Sequence, residues 1–220
     1  DIEKDGFRIA KKINILSFSD TAQAICRSMG IAIERFSKVY DRIKPDIVVV
    51  YGDRFEIFSA ATAAFVNGIP LAHISGGDVT EGALDDSFRH CITKMSHLHF
   101  TSTAEYRNRV IQLGEDPKRV FNVGALSIDG IKGLRLLSRE ELEEKLRFRL
   151  ARHNCLVTFH PVTLEGAVSI RQFKALLDVL DGLESTNIIF TKANADPGGR
   201  QINAMISSYV ARNPKKAKVY

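Results

Sequence analysis

Residues Asp46–Ile74 read DIVVVYGDRFEIFSAATAAFVNGIPLAHI, and this stretch decides the fold class. Two short apolar runs, Asp46–Tyr51 and Ile69–Ile74, flank an alanine-rich segment, Phe55–Asn67, which ends before Gly68. A continuous apolar run of this length is typical of a strand that is buried on both faces of a parallel sheet. Alanine favours a helix between two such strands. The stretch therefore predicts a strand–helix–strand unit with parallel strands.

The same alternation continues through the rest of the chain. Asp20 or Thr21 can cap a helix that Gly30 would end, and Ser138 with Glu141 forms a capping box for another. Strands that alternate with helices predict a doubly wound α/β fold. The further predicted strands are Ile13–Phe18, His97–Ser102, Val120–Val123, Cys155–His160 and Asn187–Thr191, and the further helices are Asp85–Met95, one from Ser102 or Thr103 to Gly114, Gln172–Leu180 and Gly199–Ala211.

A charged segment, REELEEKLRFRL at Arg139–Leu150, separates two groups of strands. We place the domain boundary within it, so that residues 1–145 form one α/β domain and residues 146–220 the first part of a second one. The chain starts without methionine and ends on KAKVY, Lys216–Tyr220, which is typical of the opening of a strand. We therefore expect a fragment of a longer protein, truncated at both ends.

Composition argues against several classes of protein. The net charge of +5 is spread along the chain without a basic stripe and interleaved aromatics, which argues against nucleic acid as a partner. No apolar run approaches the roughly 20 residues that span a bilayer. Cys26, Cys91 and Cys155 are scattered and odd in number, which favours the cytoplasm. His97 and His99 lack the spacing of zinc ligands, so we expect no metal.

Polar and glycine-rich residues follow the predicted strands, at the sheet edge where ligands bind in open parallel sheets. Gly52-Asp53-Arg54 follows one strand and Ser75-Gly76-Gly77-Asp78 follows the next one. In the second group of strands, His160-Pro161 follows one strand, and the segment with Lys192 and Asn194 follows another. We expect one crevice between two domains to gather these groups.

Each of these groups also has a purely structural interpretation. Asp53 could simply cap the helix that follows it. Asp85 and Asp86 lie at a predicted helix start, where the helix dipole favours acids. Their spacing to Arg89 and His90 is i,i+4, which predicts intrahelical pairs. Residue types alone therefore leave an ordinary loop and helix start as an alternative to a ligand site.

Four segments together resemble the UDP-N-acetylglucosamine 2-epimerase family, most closely its hydrolysing branch, which serves sialic acid synthesis, or its relatives for legionaminic-type sugars. The resemblance covers nearly the whole chain, and the DDSxRHxITK block is its most specific part. It implies two Rossmann-like domains in a glycosyltransferase-B-like arrangement, of which the first lacks its first strand here. The segments are KPDIVVVYGDRFE (44–56), AHISGGDVTEGALDDSFRHCITKMSHLHF (72–100), FNVGALSIDGI (121–131) and TFHPVTLE (158–165).

The resemblance implies chemistry without a metal or a redox cofactor. A base removes the proton on C2 of UDP-N-acetylglucosamine, UDP leaves from C1 to give 2-acetamidoglucal, and water then adds to release N-acetylmannosamine. Such a reaction needs a carboxylate near C2 and cations or helix N-termini at the diphosphate. The alternatives are the same reaction on UDP-N,N′-diacetylbacillosamine, a glycosyltransferase of the same architecture, and a non-catalytic binder of nucleotide sugars.

The resemblance also implies roles for individual residues in the first domain. Asp53 matches a catalytic acid or base, and Arg54 matches a neighbouring substrate contact. Asp85 or Asp86 matches a second catalytic carboxylate, which Arg89 would orient. These assignments follow from the matching motifs.

In the second domain the resemblance makes His160 catalytic, near the diphosphate, and places Asn194 near the nucleotide. This chain departs from the family at the position of the catalytic base. Many members have glutamate where this chain has Ser75. A serine cannot act as a carboxylate base, so we interpret Ser75 as a substrate contact. The role of base then passes to Asp78 or Asp53, or the substrate differs. We expect the full-length protein to be a homodimer and this fragment to be inactive by itself.

Overall fold

Parallel strands alternate with helices through the described chain, which confirms the predicted α/β class. The computed structural model describes residues 2–15, 19, 21–163, 167–194 and 196–220. The chain divides into two compact units, Asp1–Lys132 and Gly133–Tyr220, and each contains one parallel sheet.

The first unit is built on a four-stranded parallel sheet in the order β1-β2-β3-β4. In its register Tyr51 is level with Ile74, and Ile74 is level with Phe100, so three strands end at the same edge. Its strands are β1 (Val48–Tyr51), β2 (Leu71–Ile74), β3 (Leu98–Thr101) and β4 (Val120–Asn122), and its helices are α1 (Ala22–Ile43), α2 (Phe55–Val66), α3 (Leu84–Met95), α4 (Ala104–Gln112), a 3₁₀ turn at Pro117–Arg119, and α5 (Leu126–Gly133).

Burial differs from strand to strand, and the expectation that every strand is buried on both faces is wrong. In β2, Leu71 and Ala72 are buried, because β2 has a strand on each side. In β1, Val49 is 59% exposed and Tyr51 56%, since β1 is the edge strand of the described sheet. Apolar composition alone does not distinguish a central strand from an edge strand.

Helix α1 is longer than predicted. Thr21 caps it by accepting a hydrogen bond of 3.3 Å from Ala24 N, as expected, but Gly30 lies inside the helix, which ends at Ile43. A glycine inside a helix costs about 1 kcal/mol. The residues beyond it compensate by packing, and Ala32 is completely buried. Lys44, in the left-handed conformation, ends the helix.

The predicted strand Ile13–Phe18 falls mostly outside what the structure describes. Ile13–Ile15 are not in a strand, and Leu16, Ser17 and Phe18 lie outside the described residues, as does Asp20.

The second unit contains a three-stranded parallel sheet in the order β5-β6-β7. Its capping box at Ser138 is confirmed, because Ser138 N donates to Glu141 Oε2 at 2.8 Å and Glu141 N donates back to Ser138 Oγ at 3.2 Å. The chain does form a strand before Tyr220, as the KAKVY segment predicts. The elements are α6 (Arg139–Leu146), β5 (His153–Val157), α7 (Ala167–Asp181), β6 (Thr186–Phe190), α8 (Gly199–Arg212) and β7 (Ala217–Val219).

Helix α6 belongs to the second compact unit. Lys218 Nζ donates a hydrogen bond of 2.6 Å to the Leu146 carbonyl, which attaches the end of α6 to β7. The two compact units therefore divide before α6, whereas the predicted boundary at 145/146 assigns most of this helix to the first domain. As a boundary between domains of the full-length protein, 145/146 stays a prediction.

Candidate active site

One buried arginine, Arg89 on α3, connects groups that lie far apart in the sequence. Its side chain is only 6% exposed. Its Nε donates a hydrogen bond of 2.6 Å to Oδ2 of Asp53, and its Nη2 contacts the same oxygen. Its Nη1 lies 3.1 Å from Oδ1 of Asp86, three residues earlier on the helix. A buried guanidinium requires such partners, so these three residues form one ionic cluster after β1.

Asp53 is held by this ion pair and does not cap a helix. Helix α2 begins at Phe55 with Arg54 in the N-cap position, and the Arg54 side chain makes no capping hydrogen bond. The structural interpretation of Asp53 as a cap is therefore wrong, because Arg89 binds its carboxylate. The other oxygen, Oδ1, has no hydrogen-bond partner in the part of the chain that the structure describes. One oxygen of a fixed carboxylate is thus available to a ligand.

Asp86 organises the first turn of α3. Its Oδ1 accepts a hydrogen bond of 2.7 Å from Thr80 N, and its Oδ2 lies 3.7 Å from Nε2 of His90, so the predicted Asp86–His90 contact is confirmed. The predicted Asp85–Arg89 pair is wrong, because Arg89 instead binds Asp86, three residues before it, and Asp53. Asp85 lies beside it in the same turn, where the helix dipole favours acids. The start of α3 therefore carries two carboxylates close to the turn that follows β2.

That turn is also attached to Arg89. Nη1 of Arg89 donates a hydrogen bond of 2.9 Å to the Asp78 carbonyl, and Nη2 donates one of 2.9 Å to the Thr80 hydroxyl. The carboxylate of Asp78 accepts a hydrogen bond of 2.8 Å from Val79 N. Arg89 thereby fixes the loops after β1 and β2 together.

Two residues of the turn have unusual backbone conformations. Ser75 has φ of 69°, which is uncommon for a residue with a side chain, and its N–H donates a hydrogen bond of 2.9 Å to the Phe100 carbonyl. Gly77 has φ of 85°, and a Cβ there would lie 2.3 Å from the Tyr106 carbonyl oxygen. Only glycine fits at position 77, because both the conformation and the space exclude a side chain.

A buried histidine, His73, contacts the residue next to Asp53 in the Arg89 cluster. His73 is completely buried in β2, with Nε2 3.0 Å from the Gly52 carbonyl and Nδ1 3.2 Å from the Thr93 hydroxyl. A carbonyl only accepts, so Nε2 carries the hydrogen and Nδ1 accepts from the hydroxyl. Burial lowers the pKa of His73 from 6.5 to about 4. A neutral His73 therefore donates a hydrogen bond to Gly52, the residue directly before Asp53.

We expect His73 to make the protein less stable in acid. Its pKa is about 4 in the folded state and 6.5 when solvated, so the unfolded chain binds more protons between these values. The unfolding free energy should fall as pH drops from 6.5 to 4, by an amount on the order of 3 kcal/mol for this group. Urea unfolding across this range should show that His73→Gln has lost this part of the pH dependence. The exposed His97→Gln should keep it, and equal slopes for both variants would contradict the prediction.

In the second unit, the structure brings two predicted site residues together. Asn194 N donates a hydrogen bond of 3.4 Å to Nδ1 of His160, after β5 and β6. Asn203, one turn into α8, accepts from Ala193 N at 2.8 Å and donates to the Ala193 carbonyl at 3.0 Å. A Cβ at Gly199 would lie 2.1 Å from the Asn194 carbonyl oxygen. The loop that carries Asn194 is therefore fixed against the start of α8.

The structure thus assembles several of the predicted residues. In the first unit, Arg89 joins Asp53, the Asp78 backbone and Asp86. Arg54 forms an ion pair with Glu56, with Nε 3.2 Å from Oε2. The catalytic and binding roles of all these residues stay predictions.

Sequence reasoning missed four supporting residues: His73, Tyr106, Asn203, and Arg109 on α4, whose Nη1 donates a hydrogen bond to the Gly77 carbonyl. For His73 a signal existed, since it is a polar residue inside an apolar run. The other three lie on ordinary helices, and nothing in their spacing separates them from a solvated helix face.

Two kinds of feature are absent from the described residues. None of the helices there is both long enough and apolar enough to cross a bilayer. Within the same residues, no cluster of three or more histidine, cysteine, aspartate or glutamate side chains could hold a metal ion.

Comparison with known proteins gives consistent matches. A family model described as UDP-N-acetylglucosamine 2-epimerase matches residues 1–219. The chain is 45% identical over 220 residues to a Campylobacter jejuni protein named GDP/UDP-N,N′-diacetylbacillosamine 2-epimerase (hydrolyzing). That match covers 100% of this chain and 57% of the Campylobacter jejuni protein. It is 41% identical over 209 residues to the Polysialic acid biosynthesis protein P7 of Escherichia coli. That match covers 94% of this chain and 53% of the Escherichia coli protein. The chain spans about half the length of these curated relatives.

A solved structure has the same fold. The UDP-GlcNAc 2-epimerase from Neisseria meningitidis, crystallised with UDP-GlcNAc, matches with a TM-score of 0.73 at 18% identity. The match covers 99% of this chain and 59% of that chain. The chain therefore has the Rossmann-like α/β fold of such epimerases over about half of their length.

Proposed function

This chain belongs to the UDP-N-acetylglucosamine 2-epimerase family, and from that membership we propose that the full-length protein is a hydrolysing 2-epimerase of a UDP-linked 2-acetamido sugar. A base takes the proton on C2, the C1–O bond breaks with its electron pair leaving on UDP, and a C1–C2 double bond forms. Water then adds its hydroxyl to C1 and a proton to the opposite face of C2, which releases the 2-epimeric free sugar.

The observation that carries this proposal is the Asp53–Arg89 pair after β1. Arg89 binds Oδ2 of Asp53 at 2.6 Å and leaves Oδ1 without a partner among the described residues. A carboxylate that is held in place in this way can exchange a proton with a bound sugar without first reorganising. We therefore assign Asp53 the acid–base role. Asp85 and Asp86 at the start of α3 are the candidates for the second carboxylate.

In the second unit, we assign contact with the nucleotide end of the substrate to His160 and Asn194. They meet at the ends of two neighbouring parallel strands, where ligands bind in this class of sheet. The imidazole of His160 could donate a proton to the leaving diphosphate from its other nitrogen, Nε2, while Nδ1 accepts from the Asn194 backbone.

Two UDP-sugars are candidate substrates. UDP-N-acetylglucosamine follows from the family description. UDP-N,N′-diacetylbacillosamine is favoured by the 45% identity to the Campylobacter jejuni protein that carries its name. Ser75 in the place of glutamate is compatible with a change of sugar, because it changes the side chain at the end of β2.

The test is incubation of the full-length protein with each donor in D₂O. We expect release of UDP together with a 2-epimeric sugar that carries deuterium at C2, and the better donor identifies the substrate. Release of UDP without deuterium at C2 would contradict elimination. Transfer to an added acceptor would support a glycosyltransferase instead, and binding without any UDP release would support a non-catalytic nucleotide-sugar protein.

Further properties of the full-length protein are part of the proposal. We expect activity that EDTA does not reduce, because the proposed steps use carboxylates and a histidine. We expect a homodimer, which sedimentation equilibrium would show as twice the mass of one chain. A cytoplasmic location is also expected, and the isolated 220-residue chain should be inactive.

A further inference from the structure

Two arginines from different helices hold consecutive carbonyls of the turn that follows β2. Arg89 on α3 donates to the Asp78 carbonyl at 2.9 Å. Arg109 on α4 donates from Nη1 to the Gly77 carbonyl. Because these peptide groups are adjacent, the turn is fixed from two sides. Arg89 also binds Asp53, whereas Arg109 makes no contact with that carboxylate among the described residues.

Helix α4 lies directly against this turn. A Cβ on Gly77 would be 2.3 Å from the Tyr106 carbonyl oxygen and 3.0 Å from Cγ2 of Val110, so the turn lies on the backbone of α4. The Asp78 carboxylate also raises the pKa of the Tyr106 phenol, first through hydrogen bonding and then through its negative charge. The contact between turn and helix thus includes both backbone and side chains.

The guanidinium of Arg109 is itself oriented by its own helix. Its Nη2 lies 2.9 Å from Oε1 of Glu105, and its Cζ lies 5.6 Å from the centre of the Tyr106 ring. The Arg109 side chain is 28% exposed and that of Glu105 is 73% exposed. A pair this exposed adds little to stability. These contacts instead orient the guanidinium so that its Nη1 donates to the Gly77 carbonyl oxygen.

We propose that helix α4 positions the turn that follows β2, with Arg109 and Tyr106 as positioning residues and the Asp78 carboxylate as part of the same support. This inference deepens the proposed function and rests on it. The Asp78 carboxylate accepts a hydrogen bond of 2.8 Å from Val79 N within the turn. Its task is to shape the turn, and the C2 proton goes to another carboxylate.

The chain offers a matched control on the same helix. Arg107 also lies on α4 and also donates to backbone carbonyls, at 2.9 Å to Val120 and 3.1 Å to Pro117. Those carbonyls lie beside β4, away from the turn. Arg107→Met and Arg109→Met therefore remove the same chemical group from the same helix, but only Arg109→Met frees the turn.

The first measurement is amide hydrogen exchange in the full-length protein. We expect exchange of Gly77–Thr80 to accelerate by about tenfold or more in Arg109→Met and to stay unchanged in Arg107→Met, because only one variant loses a turn contact. This readout needs no turnover, so it tests the positioning contact even if the protein proves not to be a 2-epimerase. Equal exchange of these amides in both variants would overturn the proposal.

The second measurement is steady-state kinetics on the better UDP-sugar. We expect Arg109→Met to lower kcat by about 10- to 100-fold, with a smaller change in KM. The turn shares Arg89 with Asp53, and misplacing that carboxylate slows the chemical step. Arg109→Lys should recover part of the loss, since lysine keeps one donor. If kcat of Arg109→Met equals that of Arg107→Met, the proposal is wrong.

The variant Asp78→Asn distinguishes two roles for Asp78, namely shaping the turn after β2 and removing the proton on C2. Asparagine still accepts hydrogen bonds, so we expect kcat to stay within about tenfold of wild type, whereas loss of a catalytic base costs about 10²–10⁴-fold. A loss in the larger range would overturn the role given to Asp78. Absence of C2 deuteration in the wild-type protein would refute the proposed function by a separate observation.

Discussion

Asp53→Asn should lower kcat of the full-length protein by about 10²–10⁴-fold while the protein stays folded, because the variant loses an acid–base carboxylate. Asparagine is nearly isosteric, and its amide oxygen can still accept the hydrogen bond that Arg89 donates to Oδ2 at 2.6 Å. The cluster should therefore keep its geometry. What disappears is the ability of Oδ1 to take a proton from the sugar or return one to it.

The measurement is UDP release and C2 deuterium incorporation at saturating donor. Asp46→Asn is the matched control, since Asp46 is exposed and lies before β1, at the opposite end of the strand from Asp53. Ligands bind at the carboxyl ends of parallel strands, so the control should keep wild-type turnover. If Asp53→Asn retained turnover within about twofold of wild type, acid–base catalysis by Asp53 would be ruled out.

Arg89→Met should destabilise the fold by about 3 kcal/mol or more, as expected when one partner of a buried ion pair is removed. Methionine keeps much of the apolar volume but none of the five donors. Asp53 and Asp86 would be left as neighbouring carboxylates without their shared cation, at side-chain exposures of 21% and 28%. The Asp78 carbonyl and the Thr80 hydroxyl would also lose a donor.

Urea unfolding at pH 7 measures this effect. The control is Arg27→Met, because Arg27 is exposed on α1 and a surface change of this kind should alter the free energy of unfolding by less than about 0.5 kcal/mol. Adding Asp86→Asn to Arg89→Met should restore part of the stability by removing one of the two unpaired charges. A destabilisation below about 1 kcal/mol for Arg89→Met would show that the cluster does not hold the loops together.

Much of the fold could be predicted because it depends on local patterns. Phe55–Val66 is rich in alanine and ends beside an asparagine and a glycine, and the observed helix α2 has nearly the predicted bounds. The capping box at Ser138 was predictable from four residues. By contrast, Gly30 was wrongly expected to end α1, because packing of α1 outweighs the local cost of one glycine.

The candidate site was predictable in its residues but not in its contacts. Position after a strand selected Asp53, Asp78 and Asn194, since parallel strands align their carboxyl ends. Helical spacing predicted the Asp86–His90 contact. The meeting of groups from both domains in one crevice stays a prediction.

The sequence by itself determined most of the order of strands and helices, apart from α5 and the strand expected from Ile13 on. It also determined which polar groups follow the strands, because periodicity and capping act over a few residues. Only the tertiary structure decided how those groups are used. Arg89 lies 36 residues from Asp53 in the chain and still binds it, because α3 packs against α2, which begins two residues after Asp53. The contacts of the buried His73 with Gly52 and Thr93, and of Arg109 on α4 with Gly77, are likewise seen only in the tertiary structure. Such contacts depend on packing between elements distant in sequence, and no local pattern encodes that packing.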